Sequence, residues 1–172
     1  MKSWRTTSIV GLALGLLLAA CLPSPDLTPT EIATAPTEIA TAPTQIVTDA
    51  TITYPSNGAE VEREEMVRGT SQEVPAGHVI WIVVFPHAAS RYYPQDRQAD
   101  IEAKGDWTSK AYIGVEENVG EGFDIIAVIA DEAGQGVFRR YFEDARKNND
   151  WRGLEQLPEG AVIYNRVTVT RK

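Results

Sequence analysis

The chain has 172 residues, 43% of them hydrophobic, and a net charge of −8, which leaves room for one ordinary domain with accessory segments. An acidic chain repels phosphate backbones, which argues against general nucleic-acid binding. A single cysteine excludes an intramolecular disulfide, so any folded part must rest on an apolar core.

Residues 1–20 open with Lys2 and Arg5, run through apolar residues from Ile9 to Leu18, and end in two alanines before Cys21. The apolar run is too short to span a bilayer and has the layout of a signal peptide. The closing Leu18-Ala19-Ala20-Cys21 resembles the lipobox of bacterial lipoproteins. That resemblance implies cleavage before Cys21, acylation of its thiol, and a mature protein anchored to a membrane in the extracytoplasmic cell envelope. One acyl chain holds only marginally and two or three make the anchor durable. Cleavage would also remove two positive charges and leave the mature chain more acidic.

Residues 21–50 follow as lipidated cysteine and tether. From residue 22 onward they contain no lysine, arginine or aromatic residue. A seven-residue unit recurs, Thr30 to Pro36 and Thr37 to Pro43, with a degenerate third copy from Thr44 to Ala50. A coiled coil is excluded, because each intact unit carries a proline and only one large apolar side chain. So little apolar surface cannot offset ordering entropy, and proline biases the segment toward an extended spacer.

The folded domain is expected over residues 51–172. Ile52 to Tyr54 reads as a strand closed by the turn Pro55-Ser56-Asn57-Gly58. Glu65 to Thr70 reads as the next, with Val67 inward. Val74-Pro75-Ala76-Gly77 turns the chain into His78 to Phe85, the strongest strand. Trp107 to Val115 follows, with Trp107, Ala111, Ile113 and Val115 on one face. Phe123 to Ala130 is another apolar strand. Ala161 to Thr170 closes the domain with Ile163, Val167 and Val169 on one face. Short strands punctuated by turns favour an all-β sandwich.

Two strands are apolar on both faces, whereas a sandwich sheet needs only one. Residues 132–147 supply the cover. Val137, Phe138, Tyr141, Phe142 and Ala145 recur at helical spacing, Asp131 is suited to the N-cap, and Asn148-Asn149 to the stop. This helix, inserted before the last strand, is expected to bury Val137, Phe138, Tyr141 and Phe142 against Ile80, Ile82, Val84, Ile126 and Val128. Trp151, Leu154 and Leu157 would continue the cover.

At this point the chain resembles bacterial immunoglobulin-like domains of exported proteins. Tyr54 to Gly58 followed by Val67-Arg68-Gly69 is similar to their opening turn and "V-x-G" strand. His78 to Val84 is similar to the central strand with its core tryptophan, here Trp81. Gly105-Asp106-Trp107 is similar to the "G-x-W" of a later strand. The resemblance spans residues 51–130 and 161–171 and implies an immunoglobulin-like sandwich, departed from by one inserted α-helix before the last strand. Such domains generally serve as stalks, adhesion modules or ligand-binding modules.

Catalytic templates are missing: the chain has no Gly-x-Ser-x-Gly, His-Glu-x-x-His or phosphate loop. His87, Ser90 and Asp96 lie close enough in sequence to be weighed as a nucleophile–base–acid set, but nearness in a loop says nothing about geometry and a polar loop after the central strand is the preferred reading. His78 and His87 sit at opposite ends of one strand and cannot share a zinc ion. Asp96, Asp100 and Glu102 read as a solvated acidic face rather than a calcium site. No metal and no cofactor is expected. Tyr92, Tyr93, Trp107 and Trp151 are the candidate ligand-binding residues, because aromatic side chains in loops favour binding surfaces. The expectation is therefore a monomeric, non-catalytic binding or interaction module with a protein or glycan ligand. Its alternatives are a hydrolase or metal-dependent enzyme with an unrecognised site, and a purely structural envelope spacer.

Overall fold

A computed structural model describes residues 48–172. The signal peptide, Cys21 and all but the last residues of the tether lie outside the described residues. The elements run β1 (Asp49–Tyr54), β2 (Ala59–Val61), β3 (Glu64–Gln72), β4 (Val79–Pro86), β5 (Tyr93–Gln98), β6 (Asp100–Ile101), β7 (Asp106–Tyr112), a 3-10 turn (Glu116–Asn118), β8 (Gly122–Ala130), α1 (Glu132–Asn148) and β9 (Ala161–Arg171). β1 starts before the expected boundary at Thr51, and its Ala50 is fully buried.

The strands form two packed sheets, ordered β1-β3-β7-β6 and β2-β9-β8-β4-β5. Neighbours are antiparallel except β2, which runs parallel to the end of β9. The core between the sheets holds Ile52, Val67, Trp107, Ala111 and Ile113 from one side and Ile80, Ile82, Val84, Phe123, Ile125 and Val169 from the other. Gly69 stands directly opposite Trp107 in the β3–β7 register. A Cβ on Gly69 would overlap the Trp107 indole and the Thr51 carbonyl, so only glycine lets the ring approach β3 this closely.

The outer face of the five-stranded sheet carries a second core, as its two-sided strands require. Asp131 caps α1 by accepting a hydrogen bond from the Gly134 N–H at 2.8 Å. Asn149 ends the helix in the left-handed conformation, at φ 49°. Phe138 and Phe142 of α1 are buried against Trp81, Val83, Ile126 and Val128, with Leu154 and Leu157 of the return segment packed alongside. The expected partners Ile126 and Val128 are found, but Ile80, Ile82 and Val84 face the other sheet instead. The seven residues from Val79 to Phe85 are all apolar, so alternation alone cannot say which parity meets the helix. Trp81, buried as expected, therefore belongs to the helix side, and the tryptophan between the sheets is Trp107.

Two further assignments are corrected. Ile163 is 41% exposed, because the β8–β9 register shifts between Ala127 and Val128. A bulge moves every residue before it to the opposite face. Val115 is 51% exposed, since β7 ends at Tyr112 and Gly114 turns the chain at φ 68°.

Candidate functional site

The return from α1 to β9 does not simply span the gap. It pairs with the residue preceding β5: Tyr92 N–H donates to the Leu154 carbonyl at 2.9 Å, and Leu154 N–H donates back at 2.8 Å. Gly153 makes the approach possible, because a Cβ there would fall 2.8 Å from the Tyr93 ring. This contact brings Trp151 and the C-terminal turn of α1 beside β5. Between them, and bounded by the loops after β4 and β7, lies a cleft of about 750 Å³. Its walls include Pro86, Tyr93, Pro94, Tyr112, Tyr141, Phe142 and Trp151, and its charged groups are Arg63, Asp96, Glu121 and Arg146.

Each aromatic has a local cause. Trp151 is 48% exposed, with its ring centroid 6.4 Å from that of Phe142. Phe142 is buried beneath it and carries the Arg146 guanidinium 5.7 Å from its ring centre. Tyr141 is half-buried, and burial first, then the neighbouring Tyr93 and Asp150, push its hydroxyl up to about 12. It is a neutral donor throughout the physiological range. The two amides of the cleft are occupied by the protein. Gln95 donates to the Tyr93 carbonyl at 3.1 Å and accepts from the Tyr112 N–H at 2.7 Å. Asn118 accepts from the Val115 N–H at 2.8 Å and donates to Glu121 at 2.9 Å.

Of the four aromatic residues singled out in the sequence, Tyr93 and Trp151 line this cleft. Tyr92 does not; it packs on Phe85 with ring centroids 4.9 Å apart. Trp107 is 1% exposed in the core between the sheets and has no access to a ligand. The sequence reading missed Tyr112, Arg63 and Arg146. Tyr112 was readable as outward-facing from its parity against Ala111. Nothing in the sequence tied it to Trp151.

A polar cluster occupies the part of the same sheet face that α1 leaves uncovered. Asp124 is buried and accepts hydrogen bonds from His87 Nε2 at 2.9 Å, Thr168 Oγ1 at 2.8 Å and Arg166 Nη1 at 3.0 Å. Burial alone would raise its carboxyl. The hydrogen bonds from His87 and Thr168 and the charges of His87 and Arg166 outweigh that and hold it below its ordinary value. His87 thus pairs with Asp124 and not with Asp96, which lines the cleft. The Ser90 hydroxyl donates to the His87 carbonyl at 3.2 Å, so the weighed triad is not assembled. Among the described residues, no three of His, Cys, Asp and Glu converge as metal ligands.

No protein-family model matches the chain, and no curated protein sequence matches it. Any functional reading therefore rests on the chain's own residues.

Proposed function

We propose that this chain is a lipid-anchored protein of the cell envelope, held to a membrane through Cys21, whose sandwich domain is a non-catalytic module binding a protein or glycan in the aromatic cleft. The observation that carries the binding role is the cleft, which combines exposed Trp151 with Tyr93 and Tyr112 in a volume of about 750 Å³. A concave, aromatic-lined site with a few fixed polar groups is the usual form of a ligand site. The anchor rests on the lipobox resemblance at Leu18 to Cys21.

The strand order supports an immunoglobulin-like reading of the fold. The series β1-β3-β7-β6 and β9-β8-β4-β5 follow the A-B-E-D and G-F-C-C′ orders of that architecture. Two features depart from it: the helix between the last two strands, and a β4 tryptophan turned away from the space between the sheets.

The direct test is a pull-down and glycan array with the full-length chain and its Trp151→Ala and Tyr93→Ala variants. Both variants are expected to lose the retained ligand while melting within a few degrees of the parent. Retention unchanged in both would overturn the assignment of the cleft.

A further inference from the structure

We propose that the cleft holds a neutral oligosaccharide and not a peptide, which rests on the cleft being the ligand site. Its aromatic walls are interrupted by charges of both signs, Arg63 and Arg146 against Asp96 and Glu121. Among the described residues none of these side chains is ion-paired, and only Glu121 carries a hydrogen bond, from Asn118 at 2.9 Å. An occupant must therefore donate to carboxylates and accept from guanidinium groups, or leave them desolvated and unpaired. A sugar hydroxyl does both by rotating, and the C–H face of a sugar ring packs on an aromatic such as the half-exposed Trp151. The two charges of each sign cancel, so a charged sugar chain gains nothing over a neutral one.

Each common way of holding a peptide meets an obstacle here. Strand addition needs free backbone groups along an edge. The Tyr92 carbonyl is taken by the Leu154 N–H, the Tyr93 carbonyl by the Gln95 side chain, and the Gln95 carbonyl by the Trp81 indole N–H at 2.6 Å, while Pro94 has no N–H. Across the cleft the Tyr112 and Val115 N–H groups are taken by the side chains of Gln95 and Asn118. A docked helix would lay an apolar stripe on the charged lining. A proline-rich segment has acceptors but no donors, and so would leave Asp96 without a partner. The platform for a sugar ring, by contrast, is in place before a ligand arrives: the left-handed Asn149 and the Tyr92–Leu154 pair fix the chain on either side of Trp151.

The experiment is calorimetric titration of the full-length chain with cellohexaose, chitohexaose and maltohexaose, beside decaproline and the anionic hexagalacturonate. At least one of the neutral sugars is expected to bind saturably, and more tightly than either comparison ligand. Asp96→Ala removes an exposed carboxylate. It is expected to weaken the bound sugar about tenfold, the range of one hydrogen bond to a charged group, at an unchanged melting temperature. The proposal is overturned if none of the neutral sugars saturates, if decaproline or hexagalacturonate binds as tightly as the best of them, or if Asp96→Ala binds that sugar as well as the parent. Decaproline binding that depends on Trp151, without sugar binding, would sink the sugar and keep the cleft. If Trp151→Ala leaves every bound ligand in place, the cleft itself falls.

Discussion

Gly69 and Trp107 explain each other. The two short motifs that contain them, Val67-Arg68-Gly69 and Gly105-Asp106-Trp107, stand on adjacent strands with the glycine beneath the indole. Gly69→Ala forces a methyl group into a ring and a backbone carbonyl. It should destabilise the domain by about 1–3 kcal/mol, the usual scale of overpacking, read as a lower denaturant midpoint at constant slope. Asp124 gives a second prediction, in pH. Its native carboxyl lies below the ordinary value, so the stability it contributes is complete above the unfolded value of about 4 and is lost as pH falls through the native value. Asp124→Asn should therefore be less stable than the parent at neutral pH, and the gap should narrow on acidification. A gap that stays constant from pH 7 to pH 2 would show that the Asp124 carboxylate is not responsible for the difference.

The helix was the most legible element. Its Asp131 cap and its asparagine stop are local chemistry, and both are found in the structure; of its apolar period Phe138, Phe142 and Ala145 are buried and Tyr141 partly so, while Val137 stays outside the helix-side core. The face it covers was not legible, because β4 is apolar at every position from Val79 to Phe85 and parity carries no information there. β5 was hidden by composition: Tyr93-Pro94-Gln95-Asp96-Arg97-Gln98 contains a proline and mostly polar residues, and so reads as a loop. It forms an edge strand, where proline is tolerated. The cleft was half legible. Tyr93 and Trp151 were singled out as aromatics, but their proximity depends on the Tyr92–Leu154 pairing, which no short-range pattern encodes. Phe142→Asp tests the helix packing. Phe142 is 7% exposed between Trp151 and the sheet, so a carboxylate there loses its solvation, and the neighbouring Arg146 guanidinium offsets only part of that cost. Loss of cooperative unfolding, or a melting temperature lower by ten degrees or more, is expected by circular dichroism. An unchanged melting temperature would contradict the packing of α1 on the sheet.

For the molecule as a whole, the proposed anchor makes a prediction that the folded domain does not influence. Cys21→Ser should shift the protein from the membrane fraction to the soluble fraction, or leave it unprocessed. Intact-mass analysis of the parent should find an acylated N-terminal cysteine. A mature chain that begins elsewhere and carries no lipid would refute the anchor, while leaving the cleft untouched.

Molecules held on a surface meet their neighbours at a high effective concentration, a setting in which open sheet edges invite aggregation. All four edges here are blunted. β6 has 2 residues and β2 has 3. β5 carries Pro94 and a register shift against β4. β1 is bulged after Ile52, whose N–H is already given to the Asn165 side chain at 3.1 Å. With the proposed anchor, a crowded layer of these domains would stay dispersed, each edge turned from pairing with a copy of itself.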